Sequence, residues 1–276
     1  MPDFFTATWE LYRAALQRTW QSLVRGWVIM IAVVAFVVVL TLAAQLAAPL
    51  GIAGGFLLGA VNALLVGATL SLIEQAVSYA RTLTIRDVWD SFGHYFWDVI
   101  SVGFVLWLPL MALDMGMQTN PYGQFLSYAV LLLMFLLLNP APEVIYLRRH
   151  DSPLDVIKSA YEFVMENWIE WFLPIAVLLI PILLSPTGLR AFFSMSSRAG
   201  RGAGLDFYQI LVLPFTILGS WLDYIGMPSS LSWFLVLLLT PPLAVALLLF
   251  RGHLFALLSG SSRRQRQFAS YLRRDE

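Results

Sequence analysis

The sequence predicts an all-α, polytopic membrane protein: a helical bundle of about six transmembrane helices with three interfacial amphipathic helices. Composition gives the first indication, because 59% of the 276 residues are hydrophobic and only 12% are charged. A soluble domain carries about 45–50% apolar and about 25% charged residues. Long uncharged runs separated by polar turns give the second indication, and the uneven placement of the basic residues gives the third. We therefore expect the protein to be surrounded by lipid.

The first two spans lie in an uncharged run from Gly26 to Ile73, which is interrupted by the turn signal Ala48-Pro49-Leu50-Gly51. Residues 27–48 would form a helix about 33 Å long, which matches a hydrocarbon core of about 30 Å. Residues 52–79 form the second span. A cleaved signal peptide is the competing interpretation of the first span. Asp3 and Glu10 argue against it, because a signal peptide starts with a short basic region.

Four further spans follow, at 97–117, 122–146, 168–189 and 231–250, and the last contains Pro241-Pro242. Residues 207–222 are apolar but few for a crossing, and they include Pro214. This segment is expected to cross the membrane as a seventh span, to be re-entrant or to lie in the interface.

The placement of the basic residues favours six spans in the inner (plasma) membrane of a cell, with both termini in the cytoplasm. This topology places 14 of the 17 basic residues inside and leaves Arg190, Arg198 and Arg201 outside. The positive-inside rule supports that arrangement, whereas seven spans would export the basic tail.

A threefold repeat is indicated by similar segments before each hairpin, which start at Asp3, Asp87 and Asp155. Aspartate suits the first turn of a helix, where its carboxylate meets unpaired N–H groups. Apolar residues at helical spacing between Asp155 and Trp168 predict an amphipathic helix at the inner leaflet. The repeat units are about 3–80, 87–147 and 155–258, within a single transmembrane domain (1–262) that is followed by a basic tail (263–276).

The middle of the chain resembles a known group of proteins. It reads Pro142-Glu143-Val144-Ile145-Tyr146, then Ser152-Pro153-Leu154-Asp155-Val156-Ile157-Lys158-Ser159-Ala160-Tyr161, then Asn167-Trp168. This is similar to bacterial multi-pass inner-membrane proteins that resemble the membrane domain of glycerophosphoryl diester phosphodiesterases and the YciC-like proteins. Where those families carry a more basic stretch and a tryptophan, this chain has Ala160-Tyr161-Glu162. The resemblance implies an architecture and no active site, since the chain has no room for the catalytic barrel.

Small residues recur at every fourth position of the second span and form a stripe suited to close helix packing, within the chain or in a dimer. A cavity lining is the alternative. The stripe consists of Gly51, Gly55, Gly59, Ala63, Gly67 and Ser71.

Polar residues within or near the spans are candidates for ion pairs, for a proton or cation path, or for a lipid-headgroup pocket. Glu74 precedes Arg81, and Glu143 precedes a basic pair, so structural ion pairs are the first expectation. Asn62 and Gln75 share a helix with Glu74. The set comprises Asn62, Glu74, Gln75, Glu143, Arg148 and Arg149.

Several function classes are disfavoured. The chain has no cysteine, and His94, His150 and His253 lack metal-ligand spacing, so no metal or cofactor is expected. Zero net charge argues against nucleic acid. Arg263, Arg264 and Arg266 are expected to attract anionic lipid.

The sequence predicts a membrane protein without intrinsic catalysis, acting as a scaffold or partner subunit that contacts lipid and binds a protein partner or a second copy. The alternative is a transporter or channel that uses Glu74 and Glu143. No combination of a nucleophile and a base in the sequence supports an intramembrane enzyme.

Overall fold

The computed structural model describes residues 4–79, 81–117, 123–148, 150–184 and 207–260, and these residues are almost entirely helical. Ten α-helices are present in them, with no β-strand, as the sequence predicts for the fold class. In chain order they are α1 (Phe4–Arg25), α2 (Trp27–Ala47), α3 (Ile52–Ser78), α4 (Ile85–Asp90), α5 (Phe96–Met117), α6 (Gly123–Leu137), α7 (Ala141–Leu147), α8 (Pro153–Leu184), α9 (Phe207–Tyr224) and α10 (Ser229–Ser259).

The first three helices contain the first predicted hairpin. Gly26 separates α1 from α2 with non-helical angles (φ −101°, ψ 27°). A short 3₁₀ turn, Ala48–Leu50, joins α2 to α3 and is followed by Gly51 at φ +56°, a conformation that glycine adopts without a steric cost. The predicted turn between the first two spans is therefore where the sequence places it.

The in-plane segments that were predicted to repeat differ in length. α1 has 22 residues, whereas α4 has only six. The third such segment is continuous with the following span in α8, and Asn167 marks the junction with non-helical angles (φ −128°, ψ 22°). Each segment is followed directly or closely by an exposed tryptophan, at Trp27, Trp97 and Trp168. The three predicted starting points thus share a helix break before a tryptophan, although the preceding helices are unequal.

The α9 helix occupies the segment whose path the sequence left open. Its first residue, Phe207, is fully buried and packs edge-on against Phe36, with ring centroids 6.0 Å apart. Its backbone N–H donates to Oδ1 of Asn62 at 2.8 Å. Phe36 and Asn62 both lie near the middle of their helices, so α9 begins beside the central part of the α2–α3 hairpin.

Five helices within the described residues are long and apolar enough to cross a membrane. They are Trp27–Leu50, Ile52–Ser78, Ala129–Leu147, Pro153–Ile182 and Ser229–Ser259. Two further helices contain shorter apolar stretches by the same criterion, Phe96–Ala112 in α5 and Ile210–Tyr224 in α9. The chain therefore has the make-up of a helical membrane protein.

Basic side chains gather at one end of the bundle, which is called the basic end below. α1 and α3 both end there, and Arg25, Arg81, Arg148 and Arg251 lie near it. α1 packs along α10, and the buried aromatic rings of Phe163, Trp171 and Phe255 contact one another in the same region. This end holds most of the polar contacts between helices.

Candidate functional site

The Glu143 clamp, defined as Glu143, Arg251 and Asn139, joins α7 and its preceding turn to α10. Arg251 Nε donates to Glu143 Oε1 at 2.7 Å, and Nη2 donates to Oε2 at 3.0 Å. Nη2 also donates to the backbone carbonyl of Asn139 at 2.7 Å. Glu143 is 1% exposed. A carboxylate that is buried in this way needs a positively charged partner that donates to both of its oxygens. The guanidinium group of Arg251 is such a partner.

The predicted partners of Glu143 were Arg148 and Arg149, and this expectation was wrong for Arg148. Arg148 instead lies over the ring of Phe255, with Cζ 5.4 Å from the ring centroid. Arg149 lies outside the described residues. The Glu143 clamp spans 108 positions of sequence, so neighbouring residues in the chain could not reveal it.

Aromatic side chains enclose the Glu143 clamp. Trp171 is 1% exposed, its Nε1–H donates to Asn139 Oδ1 at 2.9 Å, and its ring faces the Arg251 guanidinium at 5.3 Å. Tyr146 is buried beside Gly252. A cation over an indole face is attracted electrostatically, and the attraction strengthens as water is excluded. Asn139, Trp171 and Tyr146 were not among the candidate polar residues predicted from the sequence, although a single asparagine at the end of an apolar run was a usable signal.

The helix break at Pro140 explains why Asn139 can serve the clamp. Pro140 has near-bridge angles (φ −85°, ψ 9°) and precedes α7. A proline carries no N–H, so it interrupts the helical hydrogen-bond ladder at this point. Asn139 thus lies in the turn between Leu137, where α6 ends, and Ala141, where α7 begins. In this turn its backbone carbonyl accepts from Arg251, and its side-chain oxygen Oδ1 accepts from Trp171.

Glu74 is bound by Tyr95, not by Arg81 as expected. The Tyr95 hydroxyl donates to Glu74 Oε2 at 2.7 Å, which ties α3 to the turn before α5. Burial and the neighbouring Glu74 carboxylate raise the pKa of Tyr95 above its ordinary value. Arg81 donates instead to Gln75 Oε1 at 2.9 Å and to Asp87 Oδ1 at 2.7 Å.

Asn62 does not join Glu74 and Gln75 in one polar group. It accepts the first N–H of α9, and it lies 12 residues before Glu74, or about 18 Å along the helix at the ordinary rise. A buried helix start leaves backbone donors that need an acceptor, and water is scarce between apolar helices. Asn62 supplies that acceptor from a different helix.

The small-residue stripe divides into two halves. Ala63, Gly67 and Ser71 are buried, and a Cβ on Gly67 would come within 3.1 Å of the Tyr95 backbone. Gly55 and Gly59 have nothing within 4 Å of the Cβ position, and Gly51 lies in the exposed turn. The inner half thus packs within the chain, and the outer half faces away from it.

The three arginines expected to contact lipid, Arg263, Arg264 and Arg266, lie outside the described residues. Comparison of the chain with known protein families, with curated proteins and with solved structures finds no match.

Proposed function

We propose that the chain is an integral inner-membrane protein without intrinsic catalysis, which acts as a scaffold or partner subunit and contacts lipid. The Glu143 clamp is the observation that carries this proposal. Both carboxylate oxygens of Glu143 are held by one guanidinium in a nearly dry setting. Such a pair fixes two helices against each other, and opening it would expose uncompensated charge.

The other polar groups between helices support the same role. Asn62 holds the start of α9, and Glu74 holds Tyr95. Helices in lipid associate through packing and interhelical hydrogen bonds. The hydrophobic effect does not drive them together, because the lipid chains are as apolar as the helix surfaces. These contacts favour a fixed bundle over the alternative of a transporter or channel that uses Glu74 and Glu143, since the two acids serve separate contacts.

The outer half of the small-residue stripe is the proposed contact for a partner helix or a second copy. Gly55 and Gly59 lie on a helix whose neighbouring side chains Ile52 and Phe56 are 85% and 78% exposed. Small residues let two backbones approach closely, which is a common basis of helix association in membranes.

A groove of about 320 Å³ between α6 and the first part of α8 supports lipid contact. Its walls are apolar, and Lys158 and Tyr161 lie at its α8 side. A lipid chain suits such walls, while an ammonium and a phenol suit the headgroup level. We place this side of the bundle at the inner leaflet, in a six-span topology with cytoplasmic termini.

A threefold repeat and the similarity to phosphodiesterase membrane domains and YciC-like proteins are part of this proposal. The helix breaks before Trp27, Trp97 and Trp168 support the repeat. In the proposed repeat, each unit consists of an in-plane segment, a break and a span.

Isolation from the native membrane with and without crosslinking tests the scaffold role. We expect a stoichiometric partner or a second copy, crosslinked through the outer half of α3, and we expect Gly59→Leu to abolish it. Gly219→Leu is the matched control, because Gly219 in α9 also has open space around its Cβ position. A monomer without partner in both the parent and Gly219→Leu proteins would refute the scaffold role.

Flux in proteoliposomes tests the alternative. If the protein carried protons or cations through its acids, Glu74→Gln and Glu143→Gln would reduce the flux. We expect no flux above that of empty liposomes in the parent protein, and a flux that both variants abolish would favour the transporter instead.

A further inference from the structure

We propose that a second polar site, the arginine pocket, binds a phosphate-bearing anion at the basic end of the bundle. The pocket has a volume of about 240 Å³ and lies between the ends of α1 and α3, with α10 behind it. Its polar lining includes Arg18, Ser22, Arg25, Tyr79, Arg81 and His253. The site does not require a protein partner, so it stands or fails separately from the scaffold role.

Positive charge in the arginine pocket exceeds the negative charge that faces it. Within the described part of the chain, Arg18 and Arg25 form neither an ion pair nor a side-chain hydrogen bond. Arg81 is the third guanidinium, and its partner Asp87 neutralises only that charge. Two guanidinium groups thus line one small cavity, and none of the described residues that line it carries a carboxylate.

Two partly buried hydrogen bonds form the back of the arginine pocket. Ser22 Oγ donates to the Ala76 carbonyl at 3.0 Å, which uses its single proton. Ser22 Oγ therefore accepts from His253 Nε2 at 2.9 Å, and this contact fixes the proton of the imidazole on Nε2. His253 is 5% exposed. The wall of the pocket is held in place by α1, α3 and α10 together.

A phosphate group matches this site in charge and in size. Guanidinium groups bind phosphate oxygens through paired, charge-assisted hydrogen bonds, which are stronger than neutral ones. The volume is below the range of about 300–1,000 Å³ that is usual for drug-sized ligands. Because the pocket lies where apolar spans end, the phosphate belongs either to an anionic lipid headgroup or to a small soluble compound.

Binding measurements on the full chain in a neutral detergent distinguish these two sources. In one arm the protein is titrated with short-chain phosphatidylglycerol, and in the other with inorganic phosphate. Short-chain phosphatidylcholine serves as the zwitterionic reference. We expect saturable binding, read as a rise in the thermal unfolding midpoint. Binding in the lipid arm alone identifies a headgroup site, and saturable phosphate binding identifies a site open to soluble anions.

Two kinds of variant test the residues. Arg18→Gln combined with Arg25→Gln removes the unpaired charges, and Ser78→Glu places a carboxylate at the pocket wall while keeping every arginine. We expect each to weaken binding by on the order of tenfold or more. Arg13→Gln combined with Arg86→Gln is the control, because it removes the same charge from exposed positions outside the pocket, and it should change binding less than about twofold.

Three results would overturn the proposal: no saturable binding in either arm, unchanged binding in both pocket variants, or equal weakening by the control. Equal weakening would mean that the arginines attract anions only as a diffuse surface charge. Far-ultraviolet circular dichroism and size-exclusion profiles verify that each variant is folded. Because Ser78→Glu removes no native contact to an arginine, it provides an answer even if the double arginine variant does not fold.

Discussion

Gly252 lies where α10 passes the buried ring of Tyr146, and no larger residue fits this position. A Cβ there would lie 2.7 Å from the Tyr146 hydroxyl oxygen and 2.9 Å from Val77 Cγ2. Real Cβ atoms do not approach other atoms so closely without displacement, and Tyr146 is only 6% exposed. The absence of a side chain at Gly252 therefore sets the distance between α10 and α7, next to the Glu143 clamp.

Gly252→Ala should lower the free energy of unfolding relative to Gly59→Ala by about 1–3 kcal/mol, the usual cost of overpacking. Both substitutions bring the same gain in helix propensity, but the Cβ of residue 59 meets open space. Denaturation in mixed micelles measures the difference. A Tyr146→Phe background should narrow it, because the clashing oxygen is removed. Equal stabilities of the two alanine variants would contradict this account.

The residue scale is also where prediction from the sequence was weakest. Glu143 stands out as a costly carboxylate in an apolar run, and the structure does bury it. Its partner Arg251 is 108 positions away in the sequence, so the spacing of charges along the chain does not indicate the pair. Which helices become neighbours depends on packing over the whole bundle, so the choice between Arg148 and Arg251 could not be made from spacing alone.

At the level of helices, two of the three segments that were predicted to lie in the membrane plane start with an aspartate-containing cap. Thr84 donates its N–H to Asp87 Oδ2 at 2.7 Å at the start of α4. At the start of α8, Ser152 Oγ donates to Asp155 Oδ2 at 2.8 Å and accepts from the Asp155 N–H at 3.2 Å. These are reciprocal caps with aspartate in the first turn, which satisfy donors that a helix start leaves open. The aspartates were predicted to serve helix starts, and Asp87 and Asp155 do so, while Asp3 lies outside the described residues.

The cap of α4 should weaken in acid. The pKa of Asp87 lies below its ordinary value of 3.8, mainly because its carboxylate accepts the Thr84 N–H, with further contributions from the Thr84 hydroxyl and Arg81. Since the folded state has the lower pKa, the stabilisation is complete above pH 3.8 and is lost as the pH falls through the folded value. Hydrogen-exchange protection of residues 84–91, normalised to intrinsic rates, should fall in that window. Asp87→Asn should remove the pH dependence, and protection that stays constant in the parent protein would contradict the assignment.

The position of α9 in the bundle is a second feature that the sequence could not predict. Its length and Pro214 indicate a helix that is barely long enough to cross the membrane. The sequence therefore allowed a seventh span, a re-entrant segment or an interfacial helix. The contact that positions its first residue, from Phe207 to Asn62, joins positions 145 residues apart. Hydropathy describes each helix alone, so it predicts that α9 is apolar but not which helix receives its buried start.

For the whole molecule, composition together with the long uncharged runs was sufficient to predict an all-helical membrane protein. The number of spans was harder to predict, because hydropathy must be combined with the positive-inside rule. Five described helices meet the length and hydropathy criteria, and two shorter apolar helices border on them. The six-span topology therefore stays a prediction that depends mainly on where the basic residues fall.

The absence of native cysteine allows a direct test of that topology, because an introduced cysteine is the only thiol in the chain. In the six-span arrangement residue 197 is outside and residue 261 is inside. Ser197→Cys should react with a membrane-impermeant maleimide in intact cells, whereas Ser261→Cys should react only after permeabilisation. Labelling of Ser261→Cys in intact cells would place the basic tail outside and would favour an odd number of spans.

We propose that buried polar pairs, the Glu143 clamp above all, hold this bundle in one fixed arrangement. A double-mutant cycle on the free energy of unfolding, with Glu143→Gln, Arg251→Gln and the combined variant, tests it most directly. We expect each single change to cost about 3–5 kcal/mol, because it leaves one buried charge without its partner. The combined variant should be no less stable than either single variant, which gives a coupling of about 3–5 kcal/mol or more. Costs that add to within about 0.5 kcal/mol would show that the two side chains act independently and would contradict the account.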